Sequence, residues 1–113
     1  MATNVKRTQV DGTIVIDAGA TVATNKLFVV GEVVCLSKEA MVSGTPKAAF
    51  IKDIEVEYAK LSTDTVTTGI ILYFDGANDR LTITAASLKK AGIAGNAAGS
   101  GVATCRLHLG VIR

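Results

Sequence analysis

Tryptophan is absent from the chain, and only two Tyr and three Phe are spread over its 113 residues. So small an aromatic supply excludes a stacking groove for single-stranded nucleic acid and argues against a carbohydrate module built on aromatic platforms. It also implies a thin core of small side chains. Charge of one sign is lacking too. Twelve Lys+Arg stand against ten Asp+Glu, for a net charge of +2, and Lys6-Arg7 and Lys89-Lys90 are isolated basic pairs, so no concentrated basic face recommends nucleic acid as a partner. No apolar run approaches the roughly 18 residues of a membrane span, and the polar stretch Met1 to Arg7 leads into no signal-like apolar region. The expectation is a protein made in a cytoplasm, with no membrane partner. Cysteine is scarce: Cys35 and Cys105 each sit in an apolar run, fit no zinc spacing, and are expected to be buried free thiols rather than a disulfide.

What is present points to β structure. Thirteen Val, nine Ile and thirteen Thr make 35 of 113 residues β-branched, and these stiff side chains suit a pleated sheet better than a helix. Eleven Gly against a single Pro supply positive-φ positions for many tight turns. A chain of this length buries roughly two thirds of the surface its unfolded form exposes, so folding requires no disulfide, metal or cofactor. At 49% hydrophobic composition with a thin core, the chain is expected to complete itself against a neighbour as a homo-oligomer.

Along the chain, residues 1–9 read as a flexible N-terminal arm and 10–113 as a single β domain. Ile14-Val15-Ile16 gives a short buried strand after the turn pair Asp11-Gly12, and Ala18 to Val22 reads as a Gly-centred turn into a second one. Leu27 to Val30 and Val33 to Leu36 are apolar runs separated by Gly31-Glu32, which suits a type II′ hairpin or a bulged, kinked strand. Ser37 to Lys47 reads as a surface loop. Clean alternation from Phe50 to Lys60, with Ile54, Val56 and Tyr58 opposite Asp53, Glu55 and Glu57, predicts a strand with one wet face. Ile70 to Phe74 is a central-type strand, Asp75 to Asp79 a turn, and Leu81 to Thr84 the return. Ala85 to Ala91 allows one helical turn around Leu88. Gly92, Gly95, Gly99 and Gly101 then make the next stretch mostly loop, and Val102 to Leu109 closes the chain as a half-exposed strand. About seven short strands with at most one short helical turn predict an all-β fold, a small β-sandwich or barrel.

Few residues suggest chemistry. His108 has no second His or nucleophile near it in sequence and is expected at the surface. Asp53, Glu55 and Glu57 project from one predicted strand face, where same-side carboxylates more often form a solvated or salt-bridged row than a hard-cation site. Asp75 to Asp79 lacks the later Glu of a calcium loop and reads as a β-turn. The run Gly95 to Gly101 precedes a strand and lacks the Lys and Ser/Thr of a phosphate loop. No catalytic, cofactor-binding or metal constellation emerges, and the chain reads as non-enzymatic.

The order of short segments carries more information. Gly12-Thr13, Ala18-Gly19-Ala20-Thr21-Val22, Val29-Val30-Gly31, Ile70 to Phe74, Asn78-Asp79-Arg80-Leu81-Thr82, Ala91-Gly92-Ile93-Ala94 and Ala103-Thr104-Cys105-Arg106-Leu107 follow one another over nearly the whole chain. In that order they resemble the small phage capsid cement, or head decoration, proteins. Three stretches depart from the pattern: the acidic Phe50 to Lys60 segment, Arg80 directly after Asp79, and the extension Gly110-Val111-Ile112-Arg113. These bear on the partner surface rather than the fold. The resemblance implies a virion structural protein of a phage or prophage that binds the outside of the head and reinforces it. The implied partner is the major capsid protein, and a trimer is favoured because heads offer three-fold sites. Lys6 and Arg7 are then candidate contacts to an acidic capsid surface. The alternatives are a phage tail or baseplate β-domain, or a small non-catalytic binding module.

Overall fold

The computed structural model describes residues 13–110, and the predicted arm at 1–9, with Lys6 and Arg7, lies outside the described residues. The described chain is all-β and sandwich-like, as the β-branched composition predicts. Nine strands follow in order: β1 Thr13–Ile16, β2 Leu27–Val30, β3 Val33–Ser37, β4 Lys47–Phe50, β5 Glu55–Ala59, β6 Ile71–Asp75, β7 Arg80–Thr82, β8 Lys89–Ala94 and β9 Thr104–Leu109. They form two antiparallel sheets, β1-β4-β3-β2 and β5-β9-β8-β6-β7. The larger sheet curls until its edges meet. Lys60 forms a parallel bridge to Leu81, and the Leu61 N–H donates to the Leu81 carbonyl at 2.8 Å.

Period-two burial explains the packing. On β9, Cys105, Leu107 and Leu109 are buried while Arg106 faces solvent. Leu27, Val34 and Leu36 from the four-stranded sheet meet Leu72, Phe74, Leu81 and Leu107 from the five-stranded one in the main core. The opposite face of the four-stranded sheet, with Phe28, Cys35 and Ala49, is covered by Met41, Val22 and Ala18 from the chain's own loops. Asp17 ties that layer together, because its carboxylate accepts from the Gly19 N–H at 2.9 Å and the Gly44 N–H at 3.1 Å. Both cysteines are buried free thiols, and burial pushes Cys35 up to about 11.

The hairpin between β2 and β3 forms with Val30 opposite Val33. Gly31 has φ +60°, and Glu32 is not among the positive-φ residues, the pattern of a II′ turn with Gly first. A Cβ at Gly31 would meet nothing within 4 Å. Gly31→Ala is therefore expected to cost only the backbone strain, about 1 kcal/mol. Thermal unfolding should show a midpoint lower by roughly 4–8 °C.

Several expected boundaries move. The described residues form nine strands rather than about seven, because two segments behave differently from their local pattern. The predicted strand from Phe50 to Lys60 is broken at residues 51–54, where Asp53 takes φ +62°. Its ends belong to different sheets, β4 to one and β5 to the other. Ser37 to Lys47 is not wholly a surface loop: Ser37 ends β3, and both Ser37 and Met41 are 0% exposed. The Ser37 hydroxyl donates to the Ala23 carbonyl at 2.6 Å and accepts from the Lys26 N–H at 3.0 Å, which makes its burial affordable. The predicted strand at Val22 is only a bridge to Met41.

The helical turn allowed for Ala85 to Ala91 does not form, and the stretch after it is loop only over residues 95–103, because Lys89–Ala94 is a strand. A tight turn with Leu88 N–H on the Ala85 carbonyl at 2.8 Å leads into β8, which sits between β6 and β9. The register shifts there: Leu72 pairs with Gly92, but Tyr73 pairs with Lys90. Ala91 is thus the extra residue of a β-bulge, and Ala91 and Gly92 are both buried in succession. The bulge breaks the alternation that would otherwise mark a strand.

Candidate functional site

The residues weighed from sequence are drawn into structural pairs. Glu55 and Glu57 stand opposite His108 and Arg106 across β5 and β9. Glu55 Oε2 lies 3.8 Å from His108 Nδ1, and the Thr104 hydroxyl donates to Glu57 at 2.7 Å. Asp53 is in the turn before β5 and does not continue this row. His108 is partly exposed, with 41% of its side-chain surface accessible. This is a half-exposed acid-base checkerboard, whose pairs contribute little individually.

The calcium-like segment is a β-turn. Asn78 Nδ2 donates to Asp75 Oδ2 at 2.8 Å and Arg80 Nε lies 3.4 Å from the same oxygen. The Asn78 hydrogen bond in the first place, and then the Arg80 charge, hold the Asp75 carboxyl below its ordinary value. In the glycine run, the N–H groups of Gly95, Ala98 and Gly101 donate to Arg106, Val66 and Ser62 carbonyls. Those donors hold the chain together instead of facing an anion. Lys89 pairs with Glu32 at 2.8 Å. No group of three metal-ligating side chains occurs among the described residues.

A different constellation sits where the two sheets part at the β2 edge. An open cleft of about 400 Å³ is lined by Leu27, Phe28, Val29, Phe74, Gly76 and Asp79, among others. Two of its lining residues meet Tyr58, whose hydroxyl donates to Asp79 and accepts from the Leu27 N–H at 3.1 Å. Asp79 also holds Lys26 at 3.2 Å, and Tyr58 stacks edge-on against Phe74 at 6.3 Å. Tyr58 therefore joins the five-stranded sheet to the backbone of the four-stranded one. Asp79 closes the β6–β7 turn at φ +50°, a conformation that its two polar contacts, to Tyr58 and Lys26, help to hold. No sequence signal foretells this cluster, since Lys26 and Asp79 are 53 positions apart.

Burial first, then the Asp79 hydrogen bond and charge, push the Tyr58 hydroxyl up to about 12. A group raised in the folded state contributes stability that is intact below its ordinary value near 10 and lost as pH climbs toward about 12. Denaturant melts across that window should show a fall in wild-type stability that is smaller in Tyr58→Phe. Equal slopes for the two proteins would disprove the coupling.

A family model for phage cement proteins matches residues 5–109. The chain belongs to the phage cement protein family. Searches of curated proteins and of solved structures each return no significant match. As a cement protein it has a structural role on the phage capsid, associating with the capsid and decorating the virion. The family is a structural one rather than a family of enzymes. A cement protein needs a stable body and surfaces that meet a lattice.

Proposed function

We propose that this cement protein binds the major capsid protein on the outside of the head as a homo-oligomer, with a trimer matching the three-fold positions of a capsid lattice. It acts by contact and not by catalysis, and it is made in the host cytoplasm before it joins the particle. What supports this reading is the family match over residues 5–109, joined by apolar side chains left outside both cores, above all Val15 at 73% exposed, with Val42 at 49% and Val33 at 42%. Large apolar groups on an otherwise packed domain favour burial against another surface. Residues 1–9 serve as an arm to the single domain 10–113, and Lys6 and Arg7 pair with acidic groups of the capsid.

Sedimentation equilibrium tests the assembly, with an expected mass three times that of the 11.7 kDa chain. A species that stays monomeric at high concentration would overturn the oligomer. Electron microscopy of heads with and without the protein tests the partner: added density is expected over the capsid subunits, and density confined to the tail would overturn it. Replacing both Lys6 and Arg7 by Ala should weaken head binding and flatten its salt dependence.

A further inference from the structure

The four-stranded sheet ends at β2, whose outer edge has no strand beside it among the described residues. The direction of each β2 backbone group follows from its pairing. Ser37 N–H donates to the Lys26 carbonyl at 3.0 Å, and Val30 and Val33 close the two-residue hairpin. Lys26, Phe28 and Val30 therefore turn their N–H and C=O groups toward β3, and the alternate residues Leu27 and Val29 turn theirs outward. The outward Leu27 N–H is already taken by the Tyr58 hydroxyl. Left open among the described residues are the Val29 N–H, the Val29 C=O and the Leu27 C=O, beside the cleft lined by Val29, Phe28 and Phe74.

We propose that the β2 edge accepts an extended, uncharged segment of the capsid subunit as a fifth strand of the four-stranded sheet, an inference that rests on the capsid-partner reading above. A donor and acceptor on one residue with a further acceptor two residues away are met by an extended backbone. Charge decides its composition. The two charged groups at the cleft, Lys26 and Asp79, neutralise each other at 3.2 Å, so a charged side chain entering beside Val29 and Phe74 would lose its water without gaining a partner. Inward positions of the segment are therefore apolar.

The other edges fit this role less well. β5 itself carries Glu55 and Glu57, charges of the kind that keep edges unpaired, and one end of it is already joined toward β7 through Lys60 and Leu81. β1 begins at Thr13, the first of the described residues. β2 combines an uncharged strand with a cleft lined largely by apolar side chains. Tyr58 also sets the length of the added ladder, because its hydroxyl occupies the Leu27 donor and stops pairing there.

The test uses full-length protein and purified heads assembled without it. Val29→Pro removes the outward N–H while leaving the β2–β3 ladder intact, since proline is tolerated where the N–H faces away from the partner strand. Its affinity for undecorated heads is expected to fall at least tenfold. Hydrogen exchange supplies a reading that needs no variant: the Val29 amide should exchange freely in the isolated protein and become protected on heads. Equal binding by Val29→Pro, or a Val29 amide that stays unprotected on heads bound by wild type, would overturn the inference and leave the capsid-partner reading standing. Protection that appears in concentrated protein without heads would make the occupant a second copy and overturn it as well. Wild type that fails to bind heads would sink the partner reading and this inference together.

Discussion

Gly92→Ala should unfold the protein or lower its stability by about 3 kcal/mol or more, the upper range for overpacking a core. A Cβ built at Gly92 lies 2.0 Å from the His108 carbonyl oxygen and 2.9 Å from its carbon. Both atoms are backbone, so no rotamer change relieves the clash. The strands β8 and β9 would have to separate, and they pair at Gly92–Leu109, Ile93–His108 and Ala94–Leu107. The close approach arises at the bulge, where the extra Ala91 bends β8 toward its neighbour and the Gly110 N–H reaches the Ala91 carbonyl at 2.8 Å. Thermal melts of Gly92→Ala and Gly31→Ala, compared directly, check the argument: the first should lose roughly 10–20 °C and the second less than half as much. If the two shifted alike, steric contact at Gly92 would not be the controlling factor.

Leu107→Ala is expected to cost about 2–5 kcal/mol, the range for emptying a fully buried leucine site. Leu107 is 0% exposed and lies on β9, between β5 and β8. Its cross-strand partners are Val56 on one side and Ala94 on the other, and neither can move to fill the space without disturbing its own ladder. Arg106→Ala on the same strand should stay near the surface norm of about 0.5 kcal/mol, because its side chain faces solvent. Denaturant unfolding of the pair measures both. A small loss at Leu107 would mean that the core relaxes around the cavity, and a large one at Arg106 would mean that the checkerboard on β5 and β9 matters more than exposed pairs normally do.

Local chemistry alone determined much of this protein. Thirty-five β-branched residues set the all-β class, Gly31-Glu32 and the turn before Arg80 set two hairpins, and the period of two set the buried face of β9. The order of short turn-and-strand segments carried the cement family resemblance that the family match bears out. Those features depend on neighbours in sequence, so they can be read there. Packing decided the rest. Strand β8 was hidden because its bulge puts Ala91 and Gly92 inward in succession and erases the alternation. The break at 51–54 was hidden because alternation continues through a point where the chain leaves one sheet for the other, with Asp53 in a positive-φ turn that only the geometry of two stacked sheets requires. The Tyr58–Asp79–Lys26 cluster and the open β2 edge depend on which strands end beside which. That is settled by how two curved sheets bury their apolar faces, and no short window of sequence contains both sides of such a contact.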